Sequence, residues 1–470
     1  MRHIDLYSDK ELFNQIAPER RKWLTKNQYY YHDLKRFFSY NILPEHSVLE
    51  IGCGCGDLLA SVPSSLRVGV DFSERMIREA KLSHPDCLFM VSDANHLAIR
   101  KSFDYIIISD LLGHLPDIYA MLDELHHVAN DQTRIIITYY NDLWRPLLAL
   151  GENIGMKMPE GLQNWIDSHD MQNFLELSGF EVVRHGKRML FPKNIPFISS
   201  FLNKFIANIP LINRLCLVQY TIARLPREKR DYMTTVVVPV RNEAGTIRSA
   251  LERIPVMGKG TEVIFVEGHS TDNTLEAIQS IVTEYSGKLV VRWTQQDGVG
   301  KGDAVRKGFQ MAGGEVLIIL DGDLSVPPES LSIFYRAIAS GEAEFVNGSR
   351  LVYPMEDEAM RLLNHVGNKC FSMLFTWLLE QPYKDTLCGT KVLFTKDYLR
   401  LAENRSYFGT IDPFGDFDLI FGTTRMNLKM REVAVAYRSR QYGATNIKRW
   451  SHGWILLRMA LLAAKRIKWI

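Results

Sequence analysis

Ser47-Val-Leu-Glu-Ile-Gly-Cys-Gly-Cys-Gly56 decides how the first half of this 470-residue chain folds. Its first five residues are a short apolar run around one acid, the pattern of a buried strand. Its last five place glycine at 52, 54 and 56, where a backbone must turn tightly and lie against a ligand. Further β-branched runs follow at Arg67–Asp71, Cys87–Val91, Asp104–Ser109 and Arg134–Thr138, with helix-like residues at Ser73–Leu82. Strands alternating with helices predict a parallel sheet covered on both faces. Phe180–Arg184 and Lys187–Phe191, divided by His185-Gly186, read as a closing antiparallel hairpin.

A second alternating series begins at Thr234–Val240. It continues through Glu262–Glu267, Leu289–Trp293 and Glu315–Leu320 to a short strand at Phe345–Asn347. The two series share no motif, so there is no internal duplication. Prolines and the charged run at 226–231 separate them. The expected organisation is a first α/β domain over 1–192, an apolar linker over 193–231, a second α/β domain over 232–450, and an amphipathic tail over 451–470.

With 46% hydrophobic and 23% charged residues, the chain has ample material for two cores. A formal net charge of +2 gives no global field that would draw it to nucleic acid. The 6 cysteines lack zinc-ligand spacing and read as reduced thiols of a cytoplasmic protein. The N-terminus has no apolar signal core, and no stretch reaches the apolar length of a bilayer span. Three apolar tracts stand out: Ile195–Leu225, Leu362–Leu379, and Trp454–Ala464 ahead of Lys465, Arg466 and Lys468. Each reads either as a buried helix or as a helix in peripheral contact with the cytoplasmic face of a membrane.

The glycine turn gains meaning from two acids. Asp71 ends the second strand, where a carboxylate can accept both hydroxyls of a ribose. Asp93 ends the third, suited to an adenine amino group. VLEIGCGCG, GVDFS, SDANHL and FDYIIISDLLGHL together resemble the class I methyltransferase family over roughly 40–192. The resemblance implies a seven-stranded Rossmann-like sheet that binds S-adenosylmethionine. It implies a site made by Glu50, Gly52, Gly54 and Gly56, with Asp71 on the ribose, Asp93 and Ala94 beside the adenine, and Ser109 and Asp110 at the methyl-transfer mouth. SDLLGHL stands where an amide-methylating motif would be, which argues against an amide or base nitrogen as the target. His114 is either a base for a hydroxyl or a loop residue.

In the second half, VVVPVRNE (236–243), VEGHSTDNT (266–274), the glycine loop QQDGVGKGD (295–303) and LDGDLS (320–325) lie near predicted strand ends. Asp321 and Asp323, one small residue apart, suit a divalent cation that bridges a diphosphate leaving group. These motifs, with DGDLSVPPE, NGSR at 347–350 and SRQYGATNI at 439–447, resemble family 2 glycosyltransferases of the GT-A fold. The nearest pattern is that of dolichol-phosphate mannosyltransferase and other polyprenyl-phosphate transferases. The resemblance implies nucleotide-sugar contacts from Pro239, Arg241, Glu243, Glu267, Asp272 and Lys301. It implies Mg2+ or Mn2+ on Asp321 and Asp323, an acidic acceptor motif at Asp416 and Asp418, and acceptor contacts from Arg350 and Arg440. Glu267-Gly268 replaces the usual paired acids, and Thr445-Asn446 replaces a Ser-Lys.

Family 2 members are inverting, so the resemblance implies one in-line displacement. A polyprenyl phosphate is already anionic and needs cations such as Arg350 and Arg440. A glycan hydroxyl needs a base, for which Asp418 is the first candidate with Asp416 in support. The leading reading is a bifunctional glycosyl- and methyltransferase. A glycosyltransferase with a cofactor-sensing, silent methyltransferase half is the alternative. A nucleic-acid methyltransferase is disfavoured by the near-neutral charge.

Overall fold

A computed structural model describes residues 6–161, 163–353, 362–405, 415–438 and 449–469. The chain divides into two compact units, Met1–Pro226 with Lys468–Ile470, and Arg227–Ile467.

Among the described residues, the first unit holds seven strands: β1 (Ser47–Ile51), β2 (Leu66–Asp71), β3 (Leu88–Val91), β4 (Tyr105–Ser109), β5 (Arg134–Tyr140), β6 (Glu181–Arg188) and β7 (Val218–Arg224). Their order across the sheet is β3-β2-β1-β4-β5-β7-β6. The first five are parallel, and β7 runs antiparallel to both β5 and β6. Ile106, Ile108, Ile135 and Ile137 build one core, packed with Met121, Leu122 and Leu125 of the helix Ile118–Leu125. The chain leaves β1 toward β2 on one side and reaches β4 on the other, so a crevice opens beyond the carboxyl ends of β1 and β4. The glycine turn lies there.

The second unit is built on β8 (Met233–Val240), β9 (Gly260–Glu267), β10 (Val290–Gln295), β11 (Val316–Ile319), β12 (Phe345–Ser349), β13 (Lys391–Phe394) and β14 (Met430–Ala434), in the order β10-β9-β8-β11-β13-β12-β14. β10, β9, β8 and β11 are parallel, and β13 is antiparallel to both β11 and β12. Val236, Val238, Phe265, Ile318 and Phe334 form its core. The ends of β8 and β11 lie side by side and carry PVRNE and DGD into one crevice.

Four expectations change. The hairpin at 180–191 does not form: β6 runs unbroken through His185-Gly186 and pairs with β7. Gly186 sits opposite Tyr220, whose hydroxyl lies 2.5 Å from where a Cβ would be, so this glycine makes room for a cross-strand ring instead of a turn. The stretch 193–231 is not a linker, because it supplies β7 to the first sheet. Arg227 in the charged run is buried against Glu344 and Asp397 at 2.8 and 3.0 Å, inside the second unit. The glycine loop at 295–303 becomes helix at Lys301, with Gly300 at φ +93° as its cap.

Two of the apolar tracts are helices that each bury one face and leave apolar side chains exposed on the other, Met373 on the first and Leu461 on the second. Leu362–Leu379 buries Phe375, Leu378 and Leu379, and Phe375 stacks on Phe421 at 5.8 Å. The terminal helix Arg449–Ile467 packs on it and buries Met459, Ala460, Ala463, Ala464 and Ile467 along one face. No helix of the described residues is long and apolar enough to cross a membrane.

Candidate functional sites

After β1, the Gly52 and Cys53 amides both donate to the Val70 carbonyl, at 2.8 and 3.0 Å, which hooks the turn onto β2. Gly54, at φ +51°, has nothing within 4 Å of a virtual Cβ, so the turn presents bare backbone to open space. Asp71 is buried and accepts from the Gly54 amide at 2.8 Å and the Ser73 amide at 2.9 Å. Burial raises its pKa and these two amides oppose the rise. Each oxygen keeps a further lone pair for a ligand hydroxyl. Open space over Gly54 and an acid at the end of β2 are what a nucleoside carrying an amino-acid arm requires, so the residues present fit S-adenosylmethionine.

Glu50 is a buried acid under this turn, tied to the Leu59 backbone, and burial pushes its carboxyl well above the usual range. Asp93 is exposed beyond β3, with its Oδ1 accepting from the Asn95 amide at 2.9 Å, and Ala94 is half-buried beside it. Ser109 Oγ lies 3.1 Å from Thr138 Oγ1 at the end of β4. Asp110 has φ +53°, the left-handed region that Asp adopts more readily than most side chains. It accepts from Tyr30 OH at 2.6 Å and Thr138 Oγ1 at 3.2 Å, and burial lifts its pKa to about 6.

The N-terminal helix, which sequence reasoning left unread, roofs this mouth. Phe13 packs edge-on against Phe72 and His114, at 5.7 and 5.2 Å, and Ser73 Oγ donates to Asn14 Oδ1 at 2.7 Å. His114 Nε2 stands 3.9 Å from Glu160 Oε2, and Lys157 Nζ stands 2.7 Å from the same oxygen. The Tyr140 ring lies 6.1 Å from that of Tyr30 and beneath the Lys157 ammonium; Tyr30, Glu160 and Tyr140 are absent from the sequence reading. The spacing of Tyr30, Leu34, Phe37 and Phe38, all buried on one helix face, was the available signal.

In the second unit, Pro239 and Val240 end β8, and Arg241 is exposed just beyond. The loop is braced: the Asn242 amide donates to Ser270 Oγ at 3.0 Å, the Glu243 amide to Thr274 Oγ1 at 2.9 Å, and Thr246 Oγ1 to the Gly322 carbonyl at 2.7 Å. Glu243 is buried. The Asp272 carboxylate, just ahead of the next helix, accepts from the Thr274 amide at 3.1 Å. Glu267 is buried, and its two oxygens accept from the Ser270 amide at 2.6 Å and Gln295 Nε2 at 2.8 Å. Burial alone would raise its pKa, but these donors hold it low. Glu267 thus braces the loop instead of facing open space.

Lys301 opens the helix Lys301–Met311 and places its ammonium 2.6 Å from Asp321 Oδ1. Burial opposes both charges, yet the pairing raises the Lys301 pKa and lowers that of Asp321. Asp323 Oδ1 accepts from the Ser325 amide at 3.0 Å. Gly302 lies against the backbone of Gly415, 3.0 Å from its own virtual Cβ, and that contact brings Asp416 toward Lys301. Lys391, fully buried in β13 and absent from the sequence reading, stands 3.1 Å from Asp416 Oδ1.

Asp416 and Asp418 are two apart on the helix Asp416–Arg425, so they face different ways. Asp416 faces the Lys391 and Lys301 ammoniums. Asp418 faces Arg405, 3.4 Å away, in a small cleft with Leu401 and Arg425. Of the two, Asp416 is the acid that lies beside the Lys301–Asp321 pair. Arg350 is engaged in a bidentate pair with Asp385, at 2.7 and 2.9 Å, and lies over the Tyr437 ring. Arg440 lies outside the described residues.

Two hard oxygen donors at the end of β11 suit Mg2+ or Mn2+ in kind. No group of three potential side-chain ligands occurs among the described residues. An ion held by Asp321 and Asp323 would take its remaining ligands from phosphate or water, beside the Lys301 ammonium that pairs with Asp321.

Known families match both units. Residues 23–185 match the model of a methyltransferase domain, and residues 235–401 that of glycosyl transferase family 2. The chain is similar to the dolichol-phosphate mannosyltransferase of Pyrococcus furiosus, 33% identical over 25% of this chain and 33% of that protein. It is similar to the low-salt glycan biosynthesis hexosyltransferase Agl6 of Haloferax volcanii, 26% identical over 49% of this chain and 53% of that protein. These matches span a third to about half of the relatives' own length. A solved SAM-dependent methyltransferase of Thermotoga maritima, described as a possible histamine N-methyltransferase, aligns at 15% identity over 46% of this chain and 99% of its own, with a TM-score of 0.36. The chain thus joins a methyltransferase domain to a family 2 glycosyltransferase domain.

Proposed function

We propose that the chain is bifunctional. Its second unit transfers a sugar from a nucleotide-sugar to a polyprenyl phosphate or a glycan, with inversion and with Mg2+ or Mn2+. Its first unit transfers a methyl group from S-adenosylmethionine. Both serve cell-surface glycan or glycolipid synthesis at the cytoplasmic face of a membrane. The observation that carries the first activity is the charge cluster Lys301–Asp321 and Asp416–Lys391 beside the β8 and β11 loops. The name of one relative, dolichol-phosphate mannosyltransferase, supports a lipid phosphate as acceptor.

Asp321 and Asp323 would hold the metal, which supplies neutralisation of a diphosphate leaving group. Lys301 adds a cation at the same place. An acceptor phosphate arrives ionised and requires positioning by cations, with no base. A hydroxyl acceptor would instead lose its proton to Asp416, the acid that faces this cluster. In the first unit, Asp71 and the Gly54 turn hold the nucleoside, while Asp110, Tyr30 and His114 line the mouth where the methyl acceptor enters.

The test is a donor screen. Purified protein with Mn2+ or Mg2+ is offered a panel of nucleotide-sugars, with and without polyprenyl phosphate, and nucleotide release is measured. Release that needs both the lipid phosphate and the metal is expected. Full activity in excess EDTA would remove the metal from the mechanism.

A further inference from the structure

The insertion between β6 and β7, residues 189–217, is patterned inside out. Several of its polar side chains turn inward, though Asn194 and Ser200 are exposed. Ser199 is fully buried, with its hydroxyl donating to the Lys193 carbonyl and accepting from the Ile195 amide. Asn203 exchanges hydrogen bonds with the Phe191 backbone, both at 2.8 Å, and Asn213 Nδ2 donates to the Lys187 and Ala207 carbonyls at 2.8 Å. Met189, Ala207, Cys216 and Leu217 are buried, but many of its large apolar side chains turn outward: Phe197 is 91% exposed, Leu211 75%, and Phe201, Ile198 and Leu215 each more than half.

A segment facing water would place these groups the other way round. Exposed apolar side chains elsewhere on the protein are mostly scattered, whereas here eight large ones fall within residues 195–215. The face extends to the helix Arg145–Asn153, since Trp144 Nε1 donates to the Leu215 carbonyl at 2.8 Å and Leu147 and Leu150 are exposed beside it. The hydrogen-bonded asparagines hold this apolar face in place, so it is preformed and does not arise by collapse.

Charge says what covers it. Residues 189–217 contain no Asp or Glu, and their charged residues are Lys193, Lys204 and Arg214. Lys26 lies close enough to Lys193 to depress its pKa, after burial, so cations crowd the edge. Within 189–217 the aromatic and aliphatic knobs are accompanied by cations only, while Asp142 and Glu152 lie toward the Arg145–Asn153 side; the 189–217 stretch complements acyl chains under anionic headgroups.

We propose that the β6–β7 insertion of the first unit is a docking face for an anionic lipid bilayer surface. The Phe197, Phe201 and Leu211 side chains enter the acyl boundary, and Lys204 and Arg214 meet lipid phosphates, while Lys193, which donates to Asn27 Oδ1 at 2.7 Å, adds positive charge at the edge. The proposal does not depend on the sugar acceptor, because vesicles without polyprenyl phosphate suffice to test it.

The full chain is floated with vesicles of phosphatidylcholine alone and of phosphatidylcholine with about 30 mol% phosphatidylglycerol. The wild type is expected to float with the anionic vesicles and to lose most of that binding in phosphatidylcholine alone. The triple variant Phe197→Asp, Phe201→Asp, Leu211→Asp should partition at least tenfold less and melt at the wild-type temperature. Lys204→Glu with Arg214→Glu should lower partitioning several-fold, and decides the matter if the triple variant fails to fold. Equal partitioning of wild type and variants overturns the proposal, as does a wild type that never floats. A wild-type dimer that the triple substitution dissociates, without any vesicle binding, also overturns it and assigns the face to a second copy.

Discussion

Asp71 does two jobs that its position in the sequence suggests only in part. It ends β2 where a ribose would lie, and it also ties down the Gly54 and Ser73 amides. Asp71→Ala should weaken S-adenosylmethionine binding by roughly 1–3 kcal/mol, the cost of leaving buried polar groups unpaired. Calorimetry checks this, and wild-type affinity in the variant would take Asp71 out of the site. The acids of the second unit separate by orientation. Asp416→Asn leaves the fully buried Lys391 ammonium facing a neutral amide, so it should cost both turnover and several kcal/mol of stability. Asp418→Asn, beside Arg405, should cost less turnover. Nucleotide release and melting curves on the two variants check the order; a greater loss of turnover in the Asp418 variant would restore it as the leading base.

Strands and helices place these groups through close backbone approaches. Gly415 has φ +74°, and a Cβ on it would meet Gly302 Cα at 2.5 Å. Gly415→Ala therefore carries both a left-handed backbone penalty and a backbone collision, together about 1–3 kcal/mol. The helix carrying Asp416 should shift away from Lys301, and sugar transfer should fall more than the melting temperature. A variant with full transfer would mean that this contact does not set the site. The strand β6 teaches a related point. Its Gly186 looked like a turn because a glycine amid β-branched residues signals one locally, but Tyr220 from a strand 34 residues on occupies the space above it. No local pattern carries that information.

The boundary between the units can be tested by cutting. A fragment ending at residue 192 lacks β7, the partner of both β5 and β6, and leaves two strand edges unpaired. It should aggregate, whereas a fragment ending at 226 should melt cooperatively. A stable, cooperative 1–192 fragment would show that β7 is dispensable. The two alternating α/β series, the glycine turn and the DGD turn were legible in the residues because each depends on short-range rules: strand apolarity, the freedom of glycine, and acids at strand ends. Those rules name candidates within one loop. They do not say that Asp416 faces the cluster while Asp418 faces Arg405, that Arg350 is already paired with Asp385, or that Lys391 lies buried beside Asp416. Such pairings join residues far apart in the chain, or depend on which side of a helix meets the sheet. They are fixed when buried charges must find partners and apolar faces must be covered, which happens only once the strands are in register.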